Sequence, residues 1–153
     1  MRGESIVSNV NWGKFILGAL IVTVICFLSD GFLHQKVVQD QWMDVYNALA
    51  SKAPEHAGWA MIWFVIFEAG RGFLTMYTYV LLRPRLGPGA KTATWAGVVA
   101  WVAFSLTGPA QFIPLGFYSE NLWFTVAIYQ LVFSIVAAIA GAAPYGERSA
   151  TPH

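Results

Sequence analysis

Four long runs of apolar residues alternate with shorter polar segments along this chain of 153 residues. A helix needs about 20 mostly apolar residues to cross the hydrocarbon part of a bilayer, and each run reaches that length. The pattern therefore predicts an all-α, polytopic membrane protein, a bundle of four transmembrane helices in a single integral membrane domain (1–153). The predicted spans cover about residues 12–33, 58–82, 92–113 and 122–143.

The connections between the runs carry their own signals. Residues 83–89, RPRLGPG, are expected to end the second span because prolines and glycines interrupt helices. The longest connection, 34–57, has apolar residues at helical spacing with acids between them, which predicts a short amphipathic surface helix. That helix would either lie at the lipid interface or cover the outer end of the bundle. Its apolar positions are Val38, Trp42, Val45, Tyr46 and Leu49.

Basic residues are distributed unevenly between the two predicted sides. The positive-inside rule assigns the richer side to the cytoplasm, which predicts cytoplasmic termini and a cytoplasmic 83–91 connection. The richer side carries Arg2, Lys14, Arg83, Arg85, Lys91 and Arg148, and the other carries Lys36 and Lys52.

Composition supports a membrane location and argues against other classes. Hydrophobic residues make up 57% of the chain and charged residues 11%, against about 25% charged in a soluble domain. The formal net charge is +1 and no basic run occurs, so no nucleic acid is expected as a partner. Cys26 is the one cysteine, and we expect it to be a small buried apolar residue.

The second run contains one acid and one base, Glu68 and Arg71, spaced so that they share a helix face. Ionisable residues inside a membrane are costly and mark candidate sites. At a rise of about 1.5 Å per residue, Thr23, Ser105 and Gln130 fall at the depth of Glu68. We predict that these five residues form a buried site. It would be an ion pair that locks helix packing, a proton or cation coupling site, or an anchor for a lipid, quinone or pigment.

A second polar group is predicted near the outer mouth of the bundle, formed by Asp30, His34, Gln111 and Glu120. Asp30 and His34 are four residues apart and suit hydrogen bonding at a helix end, which is the preferred interpretation. They are also weak candidates for a metal site, with Glu120 or Glu55 and His56 nearby, and His34 could be an axial ligand of a haem or chlorophyll. No metal-binding or catalytic motif supports either, so we predict no metal and no catalytic residues. We predict no enzyme, and a membrane enzyme with a metal at the outer mouth is the third interpretation. The cofactor is left open.

Small residues on the third and fourth runs suggest faces that a partner could approach closely. The leading hypothesis is a non-catalytic membrane subunit or scaffold that packs against other membrane proteins, lipids or pigments. The alternative is a small oligomeric proton- or cation-coupled carrier, or ligand-binding protein, centred on Glu68. Expected partners are the lipid bilayer and either other subunits or further copies of the chain. The small residues are Ala93, Ala96, Gly97, Ala100, Ala137, Ala138 and Gly141.

Two motifs carry a resemblance to a known group of proteins. Residues 11–18 read NWGKFILG at the start of the first run, and residues 83–93 read RPRLGPGAKTA between the second and third. Together they resemble a group of small, uncharacterised four-span bacterial membrane proteins. The resemblance implies a bacterial inner-membrane protein and implies no activity.

Overall fold

The computed structural model describes residues 10–50 and 57–145, and for residues 49, 50 and 57–60 it describes the backbone. The described chain is helical almost throughout, which confirms the all-α prediction. Its α-helices are α1 (Trp12–Phe32), α2 (Gln39–Ala50), α3 (Ala57–Leu86), α4 (Ala90–Trp101), α5 (Thr107–Ala110) and α6 (Glu120–Ala142). π-Helical turns cover Leu33–Val37 and Val102–Leu106, and a 3-10 turn covers Ala143–Tyr145.

Local chemistry explains where the helices begin and end. The Asn11 side chain accepts a hydrogen bond from the Lys14 N–H at 3.1 Å, and the Ser119 side chain accepts one from Leu122 at the same distance. Both are typical N-caps. Helix α3 passes through Pro84 and ends at Leu86, later than predicted. Gly87 ends it, because its φ of 81° is a left-handed conformation that glycine adopts without strain.

The helix after α4 is distorted near Pro109. Proline lacks an N–H and cannot bond to the carbonyl four residues earlier. Just before this proline, the Thr107 backbone N–H donates to the Val102 carbonyl, five residues back, and the Thr107 hydroxyl donates to the same oxygen at 2.8 Å. This π-helical turn contains Ser105, one of the predicted site residues.

Within the described residues, three helical stretches are long and apolar enough to cross a membrane. They are Trp12–Val37, Ala90–Ala110 and Glu120–Tyr145. Helix α3 is longer than any of these three stretches but is not one of them. It carries Glu68 and Arg71 near its middle. Large apolar side chains are exposed on α1, α3, α4 and α6, for example Leu28, Phe64, Trp95 and Phe124. Such a surface suits contact with lipid.

Helix α1 packs against α3 and α6, and α4 packs against the same two helices. Small residues form these contacts. A Cβ added to Gly97 would lie 2.7 Å from the Ser134 carbonyl oxygen, and one added to Gly141 would lie 2.8 Å from the Gly18 carbonyl oxygen. Ala96 and Ala137 are fully buried. The prediction that these small-residue faces are free for a partner is therefore wrong, because helices of the same chain occupy them.

The helix in the longest connection, α2, covers one end of the molecule. Its Val45 packs with Leu33 at the end of α1 and with Leu122 and Val126 of α6. The Trp42 ring lies 6.2 Å from the Tyr118 ring, which belongs to the connection before α6. We call this end of the molecule the α2 end, and the end with the turn before α4 the opposite end.

Candidate functional site

Arg71 is the centre of a buried polar cluster between α1, α3 and α6. Its side chain is 1% exposed. Arg71 Nη1 lies 3.1 Å from Asp30 Oδ2 and 3.6 Å from Glu68 Oε2, and Nη2 donates to Ser134 Oγ at 2.6 Å. Gln130 Nε2 donates to the same Asp30 oxygen at 2.9 Å. We call these five residues, Asp30, Glu68, Arg71, Gln130 and Ser134, the Arg71 cluster.

The directions of the helices bring these side chains together. Helices α1 and α3 are antiparallel, because Thr23 contacts Glu68 while Gly18 lies beside Met76. Side chains on a helix lean toward its own N-terminus. Arg71 therefore leans toward the α2 end, whereas Asp30 leans away from it. The long guanidinium side chain covers the remaining distance.

The structure brings together part of the predicted site around Glu68. Glu68 and Arg71 form the expected i, i+3 ion pair, and the Thr23 hydroxyl donates to the Glu68 backbone carbonyl at 3.3 Å. Gln130 bonds to Asp30 rather than to Glu68. Ser105 is buried on the π-helical turn after α4, and its hydroxyl has no hydrogen-bond partner in the described part of the chain.

Asp30 is the main departure from the predicted arrangement. It was expected at the outer mouth because the first span was predicted to end near residue 33. The helical stretch continues to Val37, so Asp30 lies seven residues inside its end, or roughly 10 Å at 1.5 Å per residue. That depth lets Asp30 reach Arg71 and Gln130.

The other members of the predicted outer-mouth group are not assembled around Asp30. His34 Nδ1 lies 2.8 Å from the Asp30 backbone oxygen, not its carboxylate, and the His34 ring packs 4.3 Å from the Trp42 ring. Gln111 and Glu120 are exposed. Glu55 and His56 lie outside the described residues. The described residues contain no group of three or more possible metal ligands.

The charge of Asp30 also influences the α2 end. Burial and, to a smaller extent, the negative charge of Asp30 raise the pKa of Tyr118 to about 12. A neutral phenol is favoured there because a second negative charge would be poorly solvated and would repel the carboxylate. The negative charge of Asp30 therefore acts on Tyr118, which lies beneath α2.

Ser134 is a cluster member that was not predicted as a site residue. It follows Gln130 by four residues, so both lie on one face of α6. That spacing within an apolar run was the available signal. Its significance depended on Arg71, whose guanidinium reaches it from another helix.

The cluster has an excess of acid over base. Asp30 and Glu68 supply two carboxylates and Arg71 one guanidinium, while Gln130 and Ser134 are neutral, which leaves one formal negative charge. Among the described residues, Glu68 Oε2 and Arg71 Nε have no hydrogen-bond partner. Such a cluster has the chemistry to bind one positive charge. Comparisons with protein-family models, curated proteins and solved structures find no match to this chain.

Proposed function

We propose that the protein is a small proton- or cation-coupled membrane carrier that binds its cation at the Arg71 cluster. The observation that supports this proposal is the sharing of one guanidinium by two carboxylates from different helices, Asp30 on α1 and Glu68 on α3. A charge without a counter-charge in hydrocarbon costs several kcal/mol. Uptake of one proton or monovalent cation would neutralise the cluster.

Arg71 also has two alternative partners, Asp30 and Glu68. Its Nη1 is within hydrogen-bonding distance of Asp30 at 3.1 Å but is 3.6 Å from Glu68. A small displacement of the guanidinium would exchange one carboxylate for the other. The carboxylate that Arg71 leaves would then take the cation, and the return of Arg71 would release it. The bound cation would stabilise the arrangement of Arg71 to which it binds more tightly.

The proposal includes α3 as a fourth span. With 30 residues, α3 is about 45 Å long, and it packs between α1 and α4. Its two central charges are buried, and its exposed residues from Met61 to Leu81 carry no charge, so the helix would present an apolar surface to lipid. These exposed residues include Ile62, Ile66, Phe73, Tyr77 and Leu81. The four spans would lie in a bacterial inner membrane with both termini in the cytoplasm, as the basic residues predict.

Reconstituted liposomes test the carrier proposal. The protein would be placed in vesicles that contain a pH-sensitive dye, and a potassium diffusion potential would be imposed with valinomycin. We expect the internal pH to change faster than in protein-free vesicles. Glu68→Gln should reduce the rate to the protein-free value because the amide binds no proton at neutral pH.

Glu120→Gln is the matched control, since Glu120 is an exposed acid outside the cluster. It should retain the wild-type rate. Equal rates for the wild type, Glu68→Gln and protein-free vesicles would contradict proton movement. The same comparison with sodium or potassium gradients would then decide whether a metal cation moves instead.

A role as a subunit of a membrane complex is the second candidate. It is favoured by the large apolar side chains exposed on every long helix, which in a complex would contact other proteins as well as lipid. Purification from the native membrane in mild detergent, followed by mass spectrometry and an absorption spectrum, would test it. A stoichiometric complex or a pigment band would favour the subunit role, and a homo-oligomer without a chromophore would favour the carrier.

A further inference from the structure

Helix α3 changes from exposed to buried at Glu68. The seven residues before it are all apolar, and each is at least 45% exposed, so the described part of the chain packs little against any face of this part of the helix. After Glu68 the helix becomes well packed, and Arg71, Thr75 and Met76 are almost completely buried. The exposed residues are Met61, Ile62, Trp63, Phe64, Val65, Ile66 and Phe67.

The exposure includes the face that should point into the molecule. Phe64 and Met61 precede Glu68 by four and seven residues and therefore lie on its side of the helix. Toward the opposite end, the same side of α3 is covered by α1 and α6. Glu68, which is itself buried, thus lies at the end of an exposed apolar stretch of helix that lipid would surround.

Aromatic rings adjoin this position. The Phe67 ring lies 5.1 Å from the ring of Phe104, which belongs to the π-helical turn after α4. Cations are attracted to the faces of aromatic rings. Glu68 Oε2 is buried and has no hydrogen-bond partner among the described residues. One buried carboxyl oxygen without a hydrogen-bond partner among the described residues therefore lies next to an aromatic, apolar surface.

We infer that the cation bound by the Arg71 cluster is a lipophilic organic monocation that enters from the bilayer along residues 61–67. This inference rests on the proposed function and names its substrate class. The apolar body of the ligand would contact Phe64 and Phe67, and its positive charge would pair with Glu68. Charge complementarity supports this occupant, because the cluster holds two carboxyl groups and one guanidinium, and residues 61–67 beside it carry no charged group.

A small metal ion suits the cluster less well. Such ions prefer several oxygen ligands in close coordination. The groups that surround the Asp30 carboxylate are donors, the guanidinium of Arg71 and the amide N–H of Gln130. An organic cation needs no such coordination shell, since it gives up little hydration when it enters an apolar site.

The test uses tetraphenylphosphonium as the probe and protein in nanodiscs of zwitterionic lipid. Equilibrium dialysis against empty nanodiscs would separate binding from partition into lipid. We expect saturable binding to one site per chain. Glu68→Gln should weaken the Kd by about tenfold or more through loss of the charge pair, while Glu120→Gln should leave it unchanged.

A second pair of variants keeps the inference testable if Glu68→Gln does not fold. Phe64→Ala should weaken binding by about threefold to tenfold through lost ring contact. Leu28→Ala, at an exposed apolar position on α1, should have no effect. Uptake that does not saturate, or that is equal in all variants, would overturn the inference.

The two proposals can fail separately. Proton movement that depends on Glu68, without saturable binding of tetraphenylphosphonium, would overturn this inference and retain the proposed function. Saturable binding that depends on Glu68, in a protein that moves no protons, would support the ligand class and overturn proton coupling.

Discussion

The two halves of α3 differ in how much of their surface is packed against the rest of the chain. From Arg71 onward, α3 is packed against α1, and a Cβ added to Gly72 would collide with Thr23 and Ala19. Before Glu68, seven apolar residues are each at least 45% exposed and make few contacts with the described part of the chain. The Arg71 cluster lies at the boundary, so tight packing supports it on one side only. The cluster is therefore packed closely by its own helices on the side of the opposite end, and toward the α2 end it adjoins the exposed residues 61–67.

The largest effect should come from removing the shared cation. Arg71→Met leaves two buried carboxylates without a counter-charge, and we expect it to lower the free energy of unfolding by about 3–5 kcal/mol. Unfolding by SDS in mixed micelles, followed by tryptophan fluorescence, measures this. Arg85→Met is the control, since Arg85 is exposed. Adding Asp30→Asn and Glu68→Gln to Arg71→Met should recover part of the lost free energy of unfolding. If none is recovered, the two carboxylates do not share the charge of Arg71.

Matched truncations compare the two halves of α3 directly. Met76→Ala, in the buried half, should lower the free energy of unfolding by about 2–5 kcal/mol, because a cavity remains. Phe64→Ala, in the exposed half, should change it by no more than about 0.5 kcal/mol. The same unfolding assay measures both variants. Equal losses would mean that residues 61–67 are packed in the membrane, either within the chain or against another protein.

The close helix contact between α4 and α6 should tolerate no added methyl group. Gly97→Ala places a Cβ 2.7 Å from the Ser134 carbonyl oxygen. We expect this substitution to lower the free energy of unfolding by about 1–3 kcal/mol. Gly70→Ala is the matched control, because nothing lies within 4 Å of its Cβ position. In that variant the free energy of unfolding should rise by up to about 1 kcal/mol, because alanine favours the helix more than glycine does. A neutral Gly97→Ala would indicate a looser contact than the structure has.

The smallest effect concerns Tyr118 and connects the cluster to the α2 end. Its pKa is raised from 10.0 to about 12. Unfolded tyrosine ionises first, so the free energy of unfolding should fall as pH rises from 10 toward 12. Tyr118→Phe should flatten this dependence. In an ultraviolet titration, Asp30→Asn should lower the pKa of Tyr118 slightly, and no change would mean that the charge of Asp30 does not reach it.

The sequence alone was sufficient for features that depend on local patterns. Long apolar runs identified the three helical stretches that suit a membrane, since burial of backbone polar groups requires helices there. The i, i+3 spacing of Glu68 and Arg71 predicted their ion pair, because helix geometry sets that distance. The helix in the connection after α1 followed from its spacing of apolar residues.

Only the tertiary structure decided which distant residues meet. Asp30 is 41 positions from Arg71, and their contact depends on the length of α1, the antiparallel direction of α3 and the reach of one side chain. Small residues predicted close helix contact but not the partner, which is the same chain. Residues 61–67 of α3 are exposed, although their sequence is as apolar as that of a buried helix. Periodicity records which residues share a face, whereas the neighbour of that face is determined by how all the helices pack together.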